Sequence, residues 1–101
     1  MTHKVSFHRL ARKDLFDLYD YVEGQSGTKT AGDYLERIEA LCGRLSALPE
    51  RGKDRSDLGA GIRTVALERR VLVVYRTAAN EVEILRVLYA GRDFTADDVS
   101  E

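Results

Sequence analysis

The sequence predicts an α+β fold, a helical hairpin packed on one face of a small, mainly antiparallel sheet, and three observations predict it. Apolar residues recur at helical spacing through two segments of the first half. The periodicity turns extended after Gly61, and the connections between the later segments are short. The element order reads β-α-α-β-β-β. A chain of 101 residues supports a single domain with one two-layer core.

The first element is Lys4 to Phe7, where Val5 and Phe7 fall on one side of an extended segment, as in a short edge strand. From Leu10 to Val22, the apolar residues Ala11, Leu15, Leu18 and Val22 align on one helix face, with Arg12, Asp17 and Asp20 opposite. Gln25-Ser26-Gly27 breaks that pattern. Thr28 is expected to cap a second helix, whose apolar positions run through Ala31, Tyr34, Leu35, Ile38, Leu41, Cys42, Leu45 and Leu48, and Pro49 ends it. So short a break favours an antiparallel hairpin with both stripes facing a common core.

Glu50 to Gly61 reads as a polar connection. Three strands then fit: Ile62 to Leu67 alternates, Val71 to Tyr75 is continuously apolar like a central strand, and Val82 to Tyr89 is nearly so. Glu68-Arg69-Arg70 and Thr77-Ala78-Ala79-Asn80 are the turns between them. Neither is long enough for a parallel crossover, so the three form an antiparallel meander.

With 44% hydrophobic and 33% charged residues and one proline, the composition is that of a folded domain. The segment from Met1 to Phe7 has no apolar run suited to a signal peptide or membrane helix, so a cytoplasmic protein without membrane contact is expected. Cys42 is the one cysteine, which excludes an internal disulfide, and its helical position suits a small core residue. Charge is uneven: Arg51 to Arg92 holds nine Lys/Arg against five Asp/Glu, whereas Asp93 to Glu101 holds four acids and no base. Residues 94–101 are therefore read as a flexible acidic tail of the single 1–101 domain. Arginine supplies 12 of the 16 basic residues, and its planar fork suits an anionic partner.

Chemical motifs are sparse. No HExxH, paired-Cys or EF-hand spacing implies a metal, and Asp14, Asp17 and Asp20, interleaved with Arg12 and Lys13, read as a solvated helix face. No phosphate-binding glycine motif implies a nucleotide or other cofactor. His3 and His8 lie in the N-terminal segment, away from the basic half, and receive no role. Arg63 and Arg86 interrupt apolar strands, where an arginine must face solvent, an internal carboxylate or a partner. Because helices cover one face, both are expected to project from the other face or its rim; Glu81, Glu68 and Asp93 are the internal partners considered for Arg86.

The chain resembles the ParE toxins of the ParE/RelE superfamily from about Val5 to Asp93. The resemblance is carried by Ala11 to Val22, by Tyr34-Leu35 with Ile38, by Leu48-Pro49 with Gly52, by Arg55 to Leu58 and Gly61-Ile62-Arg63, and most specifically by Val74-Tyr75-Arg76, Ile84 to Leu88 and Arg92-Asp93. It implies a toxin that poisons DNA gyrase by binding, has no catalysis of its own, and is silenced by a ParD-like antitoxin in a hetero-oligomeric complex. Arg63, Arg86, Tyr89 and Arg92 are the expected target contacts, and direct nucleic-acid binding is not expected. RelE-type relatives instead cut messenger RNA on the ribosome, a reaction that here would fall to Lys53, Arg63, Arg86 and Tyr89; many ParE sequences have His where this chain has Tyr89. The high hydrophobic share leaves Leu10, Leu15, Phe16, Tyr19 and Leu45 as the apolar surface expected to remain exposed for an antitoxin segment.

Overall fold

The structure, a computed structural model, describes residues 3–89. In chain order the elements are β1 (Lys4–Phe7), α1 (Arg9–Ser26), α2 (Thr28–Arg44), β2 (Lys53–Asp54), β3 (Ile62–Leu67), β4 (Val71–Ala78) and β5 (Glu81–Tyr89). They form one five-stranded sheet of order β1-β5-β4-β3-β2 under a two-helix layer. The expected α+β hairpin-on-sheet architecture, the meander and the edge position of β1 are all present. The N-terminal strand runs parallel to β5, from Lys4↔Glu81 to Phe7↔Ile84, so the first strand is joined to the last.

Helix α1 starts at a histidine cap, with His8 Nδ1 accepting from the Leu10 N–H at 3.1 Å. It then continues four residues beyond Val22. A single residue separates the two helices, and the cap of α2 is Gly27 rather than Thr28, which lies inside the helix. Gly27 has φ +91°, a conformation that side-chain-bearing residues avoid. Its N–H donates to the Glu23 carbonyl at 2.9 Å while its own carbonyl accepts from Ala31 at 3.1 Å, so one residue ends α1 and starts α2. At the other end of α2 the regular helix stops at Arg44, short of Pro49.

On the helix side, Ala11, Leu18 and Val22 of α1 and Ala31, Ile38, Leu41, Cys42 and Leu45 from α2 and its C-terminal turn pack against Val71, Val73, Tyr75, Val82, Ile84 and Val87. Burial pushes the Cys42 thiol up to about 12, so it behaves as a core hydrophobe. A second apolar cluster, Ile62, Val74, Leu85 and Leu88 with Leu58 and Leu72 against it, lies on the opposite face. Strand β4 is thus central and buried on both faces, as its continuous apolar run requires. It also reaches Ala78, which shortens the expected β4–β5 turn to Ala79-Asn80.

Strand β2 was not foreseen. It pairs Lys53↔Thr64 and Asp54↔Arg63, and it owes its place to the chain leading into it. The buried Tyr75 hydroxyl donates to the Pro49 carbonyl at 2.9 Å and accepts from the Gly52 N–H at 2.8 Å. A Cβ at Gly52 would stand 2.5 Å from the Tyr75 hydroxyl oxygen and 2.7 Å from the Thr64 carbonyl oxygen. Gly52→Ala is therefore expected to cost about 3 kcal/mol, through overpacking and loss of a buried hydrogen bond. Urea denaturation checks this: a lower midpoint at unchanged slope is expected, and a loss below about 1 kcal/mol would contradict the packing described.

Candidate functional site

Strand β1 accompanies β5 as far as Ile84, where the His8 N–H makes the last strand-like bond to the Ile84 carbonyl at 2.8 Å. Beyond that point α1 crosses the exposed flank of β5 and presents Asp14. One carboxylate oxygen of Asp14 accepts from the Val87 backbone N–H at 2.9 Å and from Arg86 Nε at 2.7 Å; the other accepts from Arg86 Nη2 at 3.0 Å. The Arg86 and Asp14 side chains are 11% and 9% exposed, so the pair is largely desolvated. A β-bulge lies at this level, where Val74 faces Arg86 but Tyr75 faces Ile84, leaving Leu85 as the extra residue. Bidentate geometry together with a backbone donor is what offsets the desolvation of such a pair.

Two expectations are corrected here. Asp14 is not part of a solvated acidic face; its neighbour Asp17 is, in an exposed pair with Lys13 at 2.7 Å. Arg86 lies at the flank of β5, within the rim allowed for it, but the internal carboxylate it meets there is Asp14 on α1. Of the internal partners considered, Glu68 is taken by Arg37 and Glu81 by the Ser6 hydroxyl, and Asp93 lies outside the described residues.

Arg63 lies on the helix-side face, two residues before the helix-packed Val65. Its guanidinium donates to the Gly52 carbonyl at 2.9 Å and the Glu50 carbonyl at 3.4 Å, holding the approach to β2. Lys53 is exposed beside it on β2. Tyr89, at the end of β5, packs in a ring cluster 5.4 Å from Tyr21 and 6.4 Å from Tyr34. Its register partner is Val71, whereas that of Arg63 is Tyr75, so strand spacings put Arg63 and Tyr89 roughly 15 Å apart. Lys53, Arg63, Arg86 and Tyr89 therefore do not meet in one place. Arg92 lies outside the described residues.

Of the apolar residues assigned to a partner surface, Phe16 is 69% exposed, and Leu10, Leu15 and Tyr19 are half-buried on α1. Leu45 is corrected: it is 0% exposed, because it closes the core at the C-terminal end of α2. Sequence reasoning passed over two exposed apolar side chains, Tyr21 at 54% and Leu48 at 58%. Leu48 borders a surface groove of about 770 Å³ that His3, Pro49, Arg51, Thr77 and Ala78 also line. Among the described residues, no group of three or more His, Cys, Asp or Glu could hold a metal ion, and no helix is long and apolar enough to cross a membrane.

Known proteins resemble this chain along nearly its full length. Residues 5–94 match the family described as "ParE toxin of type II toxin-antitoxin system, parDE". Toxin ParE3 of Caulobacter vibrioides is 43% identical over 75 residues, 74% of either chain. Toxin ParE1 of the same organism is 36% identical over 88 residues, 87% of this chain and 90% of its own. Among solved structures, a chain of the chromosomal ParDE toxin-antitoxin system of P. aeruginosa superposes with a TM-score of 0.76 at 26% identity, covering 87% of this chain and 96% of that one. A chain of the RelBE2 toxin-antitoxin complex of Mycobacterium tuberculosis gives a TM-score of 0.65 at 28% identity, covering 88% and 99%.

Removing one member of a desolvated pair leaves the other charge buried, so Asp14→Ala is expected to cost about 3–5 kcal/mol in urea unfolding. Replacing both members, Asp14→Leu with Arg86→Met, should recover only part of that loss, because the Val87 N–H still loses its acceptor. A single substitution costing under about 1 kcal/mol would mean that the pair does not anchor α1.

Proposed function

The chain belongs to the ParE toxin family of type II toxin–antitoxin systems, and we propose that it arrests growth in the cytoplasm by binding and poisoning DNA gyrase. In this reading it has no catalysis of its own and needs no cofactor. A ParD-like antitoxin silences it in a hetero-oligomer by laying an amphipathic segment on α1, over Phe16 with Leu10, Leu15 and Tyr19. An exposed aromatic ring beside half-buried apolar neighbours is the type of anchor such a segment uses.

One observation favours binding over messenger RNA cleavage. Arg86, one of the two arginines that would hold phosphate in the nuclease alternative, is neutralised bidentately by Asp14. It can hold a phosphate only by leaving a buried carboxylate unpaired, which costs several kcal/mol. Tyr89, the residue that would transfer a proton, sits among tyrosines about 15 Å from Arg63. General acid–base chemistry needs hydrogen-bond reach to one reacting centre, and these side chains do not converge on one. Arg63 and Arg92 are then the proposed direct target contacts and Tyr89 an apolar one, while Arg86 contributes by holding α1 and β5 in place.

Expression without antitoxin tests the reading, with gyrase-dependent DNA breaks and cleavage of ribosome-bound messenger RNA measured side by side. DNA breaks with intact transcripts are expected, and they should persist in Tyr89→Phe, which deletes a hydroxyl and keeps the ring. Phe16→Asp should weaken antitoxin binding by about 2 kcal/mol or more while DNA breakage continues. Transcript cleavage that disappears in a folded Tyr89→Phe protein would replace the gyrase reading with the ribonuclease one.

A further inference from the structure

The ring cluster at the end of β5 encloses a hydroxyl with nothing to bond. Tyr34 is 6% exposed, and its hydroxyl oxygen is buried without a hydrogen-bond partner. A phenol in that position ordinarily has one, so the vacancy calls for an explanation. The guanidinium of Arg37 stands 4.9 Å over the Tyr34 ring and is tied at 2.8 Å to Glu68. Burial raises the phenol above its ordinary range, with Tyr89 and Glu68 adding to the rise and Arg70 and Arg37 opposing it. The outer rim is aromatic: the Tyr89 ring, and the exposed Tyr21 packed against it.

The turn that brings Arg70 here is held in an unfavourable conformation. The Arg70 N–H closes the turn on the Leu67 carbonyl at 3.0 Å, and its two central residues, Glu68 and Arg69, have φ of +52° and +63°. Asn-Gly is the usual occupant of such a hairpin turn, because neither residue is strained there. Charged residues in its place cost backbone strain. Arg69 and Arg70 follow Glu68 in this turn, and Glu68 is the carboxylate that Arg37 holds.

We propose that Tyr34, Arg37 and Arg70, rimmed by Tyr21 and Tyr89, form a carboxylate-binding site for an acidic segment of a separate polypeptide. A partner carboxylate accepts the unused Tyr34 O–H and pairs with the arginines, while an apolar neighbour on the same segment rests on the tyrosine rim. Arg37, Glu68 and Arg70 are exposed, and the side chains around the buried Tyr34 hydroxyl must shift to admit the ligand. A peptide fits better than a nucleic-acid backbone: the chain carries a net charge of −1, and Glu68 within the site repels a continuous row of phosphates. The proposal stands whether or not gyrase is the target.

The test is an NMR titration of the full chain with a synthetic acidic peptide, acetyl-Glu-Leu-Glu-Glu-Phe-Glu-amide. Its glutamine counterpart and a short oligothymidylate serve as comparisons. Amide shifts are expected at Tyr34, Arg37 and Arg70, with binding at least about tenfold weaker for the glutamine peptide. Tyr34→Phe and Arg70→Gln should each weaken the acidic peptide about tenfold, and Lys29→Gln on the same helix should not. Because its hydroxyl has no internal partner, Tyr34→Phe should melt no lower than the parent chain. Shifts elsewhere, equal affinity for the glutamine peptide, tighter oligothymidylate binding, unchanged affinity in Tyr34→Phe, or a lowered melting temperature in that variant would each overturn the site.

Discussion

The arrangement turns on a strand flank that no strand completes. β1 ends at Phe7, and the backbone of β5 beyond Ile84 would otherwise face a helix that offers it no backbone partner. Asp14 resolves this with one carboxylate, which satisfies the Val87 N–H and neutralises Arg86 at the same place. A buried N–H left without a partner is rare in folded proteins, and a buried lone arginine is costlier still. Each group therefore requires the other two. This contact lies between the second turn of α1 and the C-terminal part of β5, the sheet's longest strand, so it sets where α1 lies. The position of α1 in turn sets where Phe16, Tyr19 and Tyr21 meet the surroundings.

Two smaller constraints complete the frame. Gly27 lets α2 begin where α1 ends, which keeps the two apolar stripes against one core without a loop to absorb misalignment. At the far side of the sheet, the Tyr75 hydroxyl and the Arg63 guanidinium hold the backbone of residues 49–52 from two directions. Arg86, Gly52 and Tyr75 hold the scaffold, Arg63 braces the approach to β2, and exposed aromatic and basic side chains stand on α1, α2 and the β3–β4 turn. A protein that acts by contact needs rigid surfaces more than a converging set of reactive groups, and this division is consistent with that need.

The layered fold was legible because long stripes carry it: Ala11, Leu15, Leu18 and Val22 on one helix, and the unbroken apolar run of β4. The two-residue β2 was not, since Lys53 and Asp54 are exposed charges held by backbone pairing that leaves no side-chain signature. Leu45 was misplaced because a stripe tells which face is buried but not how far past a helix end the core extends. The Asp14–Arg86 pair had a usable signal that went unread. Asp14 lies three residues after Ala11 and four before Leu18, hence on the buried face, and an acid there matches an arginine inside an apolar strand. Choosing Glu81 or Glu68 favours nearness in the sequence, whereas the carboxylate that pairs with Arg86 among the described residues is 72 residues away. Tyr34 read correctly as a core position, but nothing in the pattern shows whether a buried hydroxyl finds a partner.

Native-state hydrogen exchange at the Val87 amide tests the central claim most directly, because that N–H is the point where helix, strand flank and ion pair meet. If Asp14 closes the flank as described, Val87 should exchange only through global unfolding, with an opening free energy within about 1 kcal/mol of the whole domain's. Exchange at the rate of an unprotected edge amide, through local opening while the rest of β5 stays protected, would contradict the account.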